Sequence, residues 1–415
     1  MVIAGGGVLG TMHAVMARRR GFEVVQLERE AEARGASVRN FGLVWVSGRK
    51  AGPELSLALR ARELWADLGA RVPGIGFRAA GSLTLASGDA ELALLKEAAA
   101  LPDADRREFE LLDPAAIRAV NPALRGEFAG GLFCRADAIV EPRQVLPALR
   151  GHLSGEGYEW LPGREVTEIV PNAVRDHTGA WHQCDLVVLC PGAAHTGVAG
   201  RYLARSGVSA VRRVRLQMMQ TEPLAGRITT ALADGDSLRY YPAYDLPGRA
   251  QLPPQAAAAE RARAQLLLVQ RADGGLTIGD THEYAEPFAF DLDEDAYDHL
   301  RARAETLLGG PIPPVQRRWA GVYSEVIPQT AEYPAGTGHA LYHRAEAEPG
   351  VILVTGPGGR GMTCSPAIAE ETFRLSASRW PAWTWPAPRW PTTAPCSRRS
   401  PRRSGTCPRP PSSRR

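Results

Sequence analysis

The sequence predicts an α/β fold, because apolar, strand-like runs lead directly into glycine-rich turns at three points along the chain. These runs with their turns are 1–10, 185–192 and 351–361. Continuous apolar runs are typical of parallel strands that are buried on both faces. A glycine at the carboxyl end of such a strand lets a ligand approach the backbone closely. We therefore expect an open, largely parallel sheet with a ligand at this edge.

The first turn has the glycine spacing of a dinucleotide-binding motif. Gly5, Gly7 and Gly10 follow the pattern GxGxxG. In that pattern the first glycine permits the tight turn, the second allows a pyrophosphate to approach, and the third lets the next helix pack against the strand.

The residues after the turn support the same interpretation. A helix is predicted from Val8 to Arg20, with its positive N-terminal end toward the phosphates. A second strand over 22–27 ends on Glu28, where a carboxylate would bind a ribose diol. Glycines also cluster in ordinary loops, but strand, glycines, helix, strand and acid in this order favour a dinucleotide site.

Length and composition indicate a two-domain enzyme. The chain has 415 residues, 44% hydrophobic and 23% charged, with a net charge of +4. So small a charge gives no reason to expect nucleic acid. The sequence shows neither a transmembrane segment nor a secretory signal pattern, so we expect a cytoplasmic protein. The six cysteines have no CxxC spacing, which predicts reduced thiols and no metal site.

The remaining elements follow in chain order from periodicity and turn residues. Helices are predicted over 53–69, 91–100, 114–118, 142–149 and 294–308. Strands are predicted over 77–86, 132–134 and 213–222, as a β-meander from 165 to 179, and as a hairpin over 266–270 and 276–283. The adjacent Met218 and Met219 are interpreted as core residues.

Two local features leave alternatives open. Ser37, in the small-residue run 35–37, is interpreted either as a helix N-cap or as a hydrogen-bonding residue beside a flat ring or a phosphate. Tyr240 is interpreted either as part of a pocket wall or as a cap on a sheet.

Taken together, the motifs resemble the D-amino acid oxidase, sarcosine oxidase and glycine oxidase superfamily of FAD enzymes over residues 1–375. The motifs are Gly5-x-Gly7-x-x-Gly10, Glu28, Gly35-Ala36-Ser37, Cys190-Pro191-Gly192, Arg318-Trp319-Ala320-Gly321 and 356–366. Within this superfamily, 37–45 and 356–362 are most similar to a bacterial subgroup proposed to act in aminophosphonate breakdown.

The resemblance implies a Rossmann-type FAD domain, with a parallel sheet and a β-meander, built from 1–75, 140–205 and 320–375. A second, α+β substrate domain on a mostly antiparallel sheet would comprise 76–139 and 206–319. The residues implied to bind FAD are Gly5, Gly7, Val8, Leu9, Gly10, Glu28, Ala36, Ser37, Asn40, Val170, Pro191, Gly192, Trp319, Gly321, Gly356, Gly358, Gly359, Arg360, Gly361 and Met362.

The implied reaction is hydride transfer from the carbon that bears an amine to flavin N5. The imine would then hydrolyse, and oxygen or another acceptor would reoxidise the flavin. The helix after Gly361 would stabilise negative charge on the reduced ring. Some relatives attach the flavin to a cysteine near a Trp-Ala-Gly turn, where this chain has Gly321, Val322 and Tyr323, so non-covalent FAD is expected.

The candidate catalytic residues are Arg360, His282, Arg39 and Tyr240. Arg360, with Arg39 and His282, is the candidate set for an anionic phosphonate, because a guanidinium binds such oxygens well. Arg39 is equally well explained as a structural arginine. His282, expected in a strand, is better explained as a structural histidine.

Other functions stay open at this point. The substrate is a small amine, for which an aminophosphonate, a D-amino acid, glycine and an N-methyl amino acid are the candidates. The first motif also occurs in other flavin enzymes and in nicotinamide dehydrogenases. A cofactor-binding protein without activity is a further alternative.

Both ends of the chain depart from the pattern. Residues 376–415 contain nine arginines and no acidic residue. They are expected to be a disordered basic tail or, as we favour, the product of a shifted reading frame, and no function is assigned to them. Only four residues precede Gly5, fewer than a central strand usually has, which suggests a start codon further upstream.

Overall fold

The computed structural model describes residues 1–155, 157–206, 211–327 and 341–377. The expected tail of 376–415 therefore lies outside the described residues from 378 onward. Within the described residues the strands, in chain order, are β1 (Val2–Ala4), β2 (Val24–Glu28), β3 (Leu43–Val44), β4 (Ser82–Ala86), β5 (Phe109–Leu112), β6 (Gly130–Cys134), β7 (Ala138–Ile139), β8 (Tyr158–Pro162), β9 (Val166–Val170), β10 (Ala173–Asp176), β11 (Trp181–Gln183), β12 (Val187–Leu189), β13 (Val211–Pro223), β14 (Ala231–Ala233), β15 (Leu267–Gln270), β16 (Gly275–Gly279), β17 (Val315–Val326), β18 (His343–Glu348) and β19 (Val351–Thr355). The helices are α1 (Val8–Arg19), α2 (Pro53–Arg71), α3 (Asp89–Ala99), α4 (Ala104–Arg107), α5 (Pro114–Val120), α6 (Val145–Leu153), α7 (Gly197–Arg205), α8 (Ser237–Tyr240), α9 (Ala257–Ala262), α10 (Glu294–Leu308) and α11 (Gly361–Ala377).

The first sheet carries all three predicted strand-to-glycine turns. Its strand order is β18-β19-β12-β1-β2-β8, and every neighbouring pair except β18–β19 is parallel. The apolar strand β1 is buried and lies between β12 and β2, as its continuous apolar pattern predicts. Helices α1 and α11 pack against each other, and α11 also packs against α2. The carboxyl ends of β1, β12 and β19 therefore meet at one edge of the sheet.

Three further, mostly antiparallel sheets belong to the described residues, and the smallest is the pair of β3 and β7. Strands β9, β10 and β11 form the predicted meander. The largest sheet has the order β17-β13-β16-β15-β14-β4-β6-β5, and only the β14–β4 pair is parallel. Helix α10 packs on β16. Met218 and Met219 are fully buried in β13, so both are core residues, as interpreted from the sequence. The predicted α/β fold with a second, mostly antiparallel sheet is confirmed.

Two local expectations are wrong, those for the Trp319–Gly321 turn and the His282 strand. The structure also bears on the domain boundary and on one of the two interpretations of Ser37. The Trp319–Gly321 stretch is not a turn but lies inside β17, where Gly321 pairs with Leu216 of β13. The expected domain boundary at 319/320 consequently falls within one strand. His282 lies outside a strand, because β16 ends at Gly279. Ser37 does not cap a helix, because it lies inside a short 3-10 turn that Gly35 precedes.

The described cysteines are buried thiols. Cys134, Cys184, Cys190 and Cys364 are buried and unpaired, whereas Cys396 and Cys407 lie outside the described residues. Within the described ranges, every helix is too short or too polar to cross a bilayer.

Candidate active site

A cavity of 1310 Å³ lies where the first sheet meets the largest antiparallel sheet. Its lining includes the turns after β1, β12 and β19, together with residues of β13 and β17. Pockets for single small molecules usually measure about 300–1,000 Å³. This cavity is therefore large enough for a dinucleotide and a small second molecule.

The turn after β1 is held by close backbone contacts. Gly5 has a φ of +121°, which favours glycine. A Cβ on Gly10 would lie 2.0 Å from the Gly5 carbonyl oxygen, so only glycine lets α1 approach the strand this closely. Glu28 accepts a hydrogen bond from the Gly6 amide at 2.7 Å. Ser37 Oγ accepts one from the Val8 amide at 2.9 Å, which joins the 35–37 segment to the start of α1.

Most of the residues predicted for cofactor binding line this cavity. Those on the lining are Gly5, Gly7, Val8, Leu9, Gly10, Glu28, Ala36, Ser37, Asn40, Pro191, Gly192, Gly321, Gly358, Gly359, Arg360, Gly361 and Met362. Val170, Trp319 and Gly356 lie outside it, and Val166 of β9 contributes to the lining instead. A role of these residues in cofactor binding stays a prediction.

Arg49, Glu54 and Arg360 form a buried cluster at the start of α11, which we call the Arg-Glu-Arg triad. Arg360 Nε donates to Glu54 Oε1 at 2.8 Å, and Arg49 Nη1 lies 3.6 Å from the same oxygen. Burial alone would raise the pKa of Glu54, but the two arginines outweigh it and leave that pKa below its usual value. Two guanidinium groups thus share one carboxylate, and one positive charge is left on the cavity wall.

Arg39 occupies a different environment. It is exposed, and its Nη1 donates to the carbonyl oxygen of Ala320 at 2.7 Å. Its Cβ and carbonyl lie against Gly321. Arg39 also lines the cavity, so the structure is compatible with both interpretations of this residue.

The opposite wall is aromatic. The Tyr240 ring stacks on His282, with centroids 4.2 Å apart, and the Tyr284 ring lies nearly parallel to the histidine ring with centroids 6.4 Å apart. Burial raises the pKa of Tyr240 and of Tyr323, so both phenols stay protonated and can donate hydrogen bonds. The hydroxyls of Tyr240 and Tyr323 influence each other's pKa, yet no described residue makes a well-formed hydrogen bond to Tyr323 Oη.

The cavity contains polar residues that the sequence pattern did not single out. They are Arg49, Glu54, Gln265, Asp280 and Tyr323. Glu54 is in the first turn of α2 and looks like a helix N-terminal acid. Asp280 lies within the segment predicted as the second hairpin strand, although β16 ends at Gly279. Only the pairing of distant segments shows that these side chains share one cavity.

The comparison with known proteins agrees with this architecture. The family model of FAD dependent oxidoreductases (DAO) matches residues 1–375. The chain belongs to this family. The cofactor predicted from the sequence, FAD, is confirmed.

Curated members of the family match only part of this chain. A Rhizobium etli protein that bears the name thiamine biosynthesis oxidoreductase ThiO is 33% identical over 204 residues, which cover 48% of this chain and 55% of that protein. An opine oxidase component of Rhizobium meliloti is 28% identical over 188 residues, 41% of this chain and 49% of that component. The match thus spans about half the length of these relatives.

Solved structures of the family match nearly the whole fold. Glycine oxidase from Bacillus cereus has a TM-score of 0.70 at 18% identity, over 91% of this chain and 94% of that one. Iminodiacetate oxidase from Chelativorans sp. BNC1 has a TM-score of 0.68 at 17% identity, over 96% and 98%. At such identities the likeness establishes the fold.

The geometry of the cavity fits the FAD of this family. Gly7 precedes α1 without a side chain to cap it, and the Val8 amide donates to Ser37 Oγ. The next two amides, of Leu9 and Gly10, make no hydrogen bond to a described residue and can bind a phosphate. A Cβ placed on Gly35 or Gly192 would meet nothing within 4 Å, so open space lies beside the backbone at both positions. Residues of the turn after β1 would hold the pyrophosphate, and Glu28 would lie beside the ribose.

Proposed function

We propose that this protein oxidises a small amine that also carries an anionic group, with non-covalently bound FAD as the electron acceptor. The observation that carries the proposal is the Arg-Glu-Arg triad, whose surplus positive charge lies on the wall of the FAD cavity. The names of the relatives point the same way, because glycine and iminodiacetate are amines that carry carboxylates.

The reaction removes a hydride from the carbon that bears the amine. When bound, the FAD flavin supplies the acceptor for that hydride. The nitrogen lone pair forms the C=N bond of an imine, which water hydrolyses to a carbonyl product and ammonia. The protein must orient the amine carbon and exclude water, and an aromatic wall of the buried Tyr241 and Tyr323 and the half-buried Tyr240 supports both tasks. Oxygen or another acceptor would restore the oxidised cofactor.

Within this class, we favour an aminophosphonate. Arg360 uses Nε for Glu54 and Nη1 for the Pro357 carbonyl oxygen at 3.1 Å, whereas Nη2 has no hydrogen bond to a described residue. Arg49 lies within the same cluster. A guanidinium donates in a planar fork that suits phosphonate and carboxylate oxygens alike. Glycine, a D-amino acid and an N-methyl amino acid are therefore the alternatives that the same triad would accept.

The proposal extends to the organisation of the chain. Residues 1–75, 140–205 and 320–375 would enclose the FAD, and 76–139 with 206–319 would supply the substrate wall. We also propose that the protein acts in the cytoplasm. The roles of Arg39, Tyr240 and His282 beside the substrate also belong to it.

Anaerobic mixing of the FAD-loaded protein with a panel of amines tests the proposal. The panel comprises aminophosphonates, D-amino acids, glycine and N-methyl amino acids, and the measurement is the loss of visible flavin absorbance. We expect bleaching by amines that carry an anionic group, fastest with an aminophosphonate. Bleaching by D-amino acids alone would refute the phosphonate preference, and no bleaching by any amine would refute the function.

Two arginine variants test which cation recognises the anion. We expect Arg360→Gln to raise the KM for the anionic amine by about 10-fold or more, the value of one charge-assisted hydrogen bond. Arg39→Gln is the matched comparison, since Arg39 lines the same cavity but donates to a backbone carbonyl. A larger effect from Arg39→Gln would place the anion at Arg39 instead.

A further inference from the structure

Two hydrogen-bond acceptors face each other on the cavity wall without a donor between them. Asp280 and His282 both line the cavity and are 6% and 4% exposed. Asp280 Oδ1 accepts a hydrogen bond from Gln265 Nε2 at 3.2 Å. The other oxygen, Oδ2, lies 3.9 Å from His282 Nε2, beyond hydrogen-bond distance. No other described residue donates a hydrogen bond to that oxygen.

The tautomer of His282 follows from its second contact. His282 Nδ1 lies 3.1 Å from the carbonyl oxygen of Arg263. A carbonyl only accepts hydrogen bonds, so Nδ1 must carry the hydrogen. In the neutral ring Nε2 then carries a lone pair, and this nitrogen lies 3.9 Å from Asp280 Oδ2. A buried carboxylate oxygen and a buried lone pair at this distance both require a donor.

The backbone holds this pair in place. Asp280 and Gln265 exchange two backbone hydrogen bonds, at 2.8 and 3.0 Å. The His282 amide donates to the carbonyl oxygen of Ala262 at 3.0 Å. A third acceptor, Gln265 Oε1, is also buried without a hydrogen-bond partner among the described residues. The acceptors are therefore part of a fixed wall and do not belong to a loose surface loop.

The groups around the pair leave it short of positive charge. The rings of Tyr240 and Tyr284 both lie beside the His282 ring. Tyr241, Tyr323, Glu325 and Arg49 are further titratable groups near these tyrosines. The arginines beside them have other partners: Arg49 pairs with Glu54, Arg212 pairs with Glu325 at 2.8 Å, and Arg263 lies over the Tyr284 ring. Among the described residues, no lysine or arginine forms an ion pair with Asp280.

We propose that Asp280 and His282 form the subsite that binds the ammonium group of the substrate and takes up its proton. This inference rests on the proposed amine oxidation and assigns the second end of the substrate. An ammonium group offers three N–H donors, which suit acceptors that lack one. The Arg-Glu-Arg triad would bind the anionic end, so the two subsites together would select a zwitterion.

The proposed proton transfer takes one proton from the substrate ammonium group to the protein. One N–H bond of the ammonium breaks, and its proton goes to the Asp280 carboxylate or to His282 Nε2. The electron pair stays on nitrogen and becomes the lone pair that forms the C=N bond when the hydride leaves the carbon. Burial raises the pKa of Asp280, and His282 and Gln265 offset this only in part, so the carboxylate accepts a proton readily.

Binding to the reduced enzyme separates recognition from turnover. The FAD-loaded protein is reduced with dithionite under anaerobic conditions, and ligands are titrated by calorimetry. The probes are two matched pairs, aminomethylphosphonate with methylphosphonate and glycine with acetate. In the wild type we expect the amine-bearing member of at least one pair to bind about 10-fold more tightly or better, the value of one charge-assisted hydrogen bond.

Three variants complete the test. Asp280→Asn should remove the preference for the amine-bearing probe of each pair. The affinity for methylphosphonate and acetate should change by no more than about 2-fold, which is less than the effect of one charge-assisted hydrogen bond. His282→Phe keeps a ring against Tyr240 and should also reduce the preference for the amine-bearing probes. This variant tests the subsite if Asp280→Asn does not retain FAD. The control is Glu325→Gln, a cavity carboxylate already bound by Arg212, and it should keep the preference.

The outcomes distinguish this inference from the proposed function. The subsite is refuted if the wild type shows no preference for amine-bearing probes or binds none of them. It is also refuted if Asp280→Asn retains the preference, or if Glu325→Gln loses it equally. The proposed function is refuted separately, when no amine bleaches the oxidised flavin, whichever way the titrations go.

Discussion

Replacement of Glu54 by glutamine should strongly destabilise the protein. Glu54 is 7% exposed, and its Oε1 is shared by Arg49, which is 6% exposed, and Arg360, which is 21% exposed. An amide cannot neutralise either guanidinium, so two adjacent buried cations would lack a counter-charge. Removal of one partner from a buried ion pair costs about 3–5 kcal/mol. Because Arg360 keeps some contact with water, we expect a loss near the lower end, about 3 kcal/mol.

The same helix provides the control. Glu63 pairs with Arg60 at 2.7 Å on the surface, where the two side chains are 67% and 48% exposed, and Glu63→Gln should cost no more than about 1 kcal/mol. Thermal unfolding is compared at saturating FAD, since ligand binding itself raises Tm. A loss of 1 kcal/mol lowers Tm by about 2–4 °C in a domain of ~150–250 residues. With a difference of about 2 kcal/mol, Glu54→Gln should therefore melt about 4–8 °C below Glu63→Gln. Equal Tm values would refute the account of the triad.

Three further predictions follow from single contacts. Gly10→Ala places a Cβ 2.0 Å from the Gly5 carbonyl oxygen, so the purified variant should lose FAD. The control Gly35→Ala places its Cβ in open space and should retain FAD. Equal FAD content in both variants would contradict the close approach of α1 to the strand. Tyr323→Phe removes a buried hydroxyl that has no hydrogen-bond partner among the described residues. The Tm should therefore stay level or rise by the equivalent of about 1 kcal/mol, while the KM for the amine rises. A lower Tm would show that the hydroxyl is hydrogen-bonded in the protein. The arginines lower the pKa of Glu54, so the stabilisation by its carboxylate is fully present above the unfolded pKa of 4.5 and is lost as the pH falls through the folded pKa. The Tm difference between wild type and Glu54→Gln should shrink over this pH range. A constant difference would exclude this linkage.

The sequence predicted the part of the fold that local patterns encode. The helix predicted over 294–308 coincides with α10, whose Gly309 has a φ of +70°. Asp113 caps α5 through the Ala116 amide at 2.8 Å, as its position before Pro114 predicts. Apolar runs ending in glycine predicted β1, β12 and β19. Each of these signals depends on neighbours within a few residues.

The residues predicted from the sequence that line the cavity are mostly in or beside the glycine turns, such as Glu28, Ser37 and Arg360. The glycines of the three turns were found because close approach of a ligand excludes a side chain. The polar walls were missed because their members meet through tertiary pairing. Arg49 and Arg360 are far apart in sequence, and Glu54 joins them only because α2 packs against α11. Trp319 was placed in a turn because the pairing of β17 with β13 has no local signature.

Stopped-flow reduction of the flavin with a deuterated amine tests the central claim most directly. The FAD-loaded enzyme is mixed anaerobically with an aminophosphonate or an amino acid that carries either hydrogen or deuterium on the carbon bearing the amine. Our account predicts that the visible absorbance bleaches, and that deuterium slows the bleaching several-fold because this C–H bond breaks in the step. Absence of bleaching with every amine, or bleaching at the same rate with both isotopes under conditions where chemistry limits the rate, would contradict it.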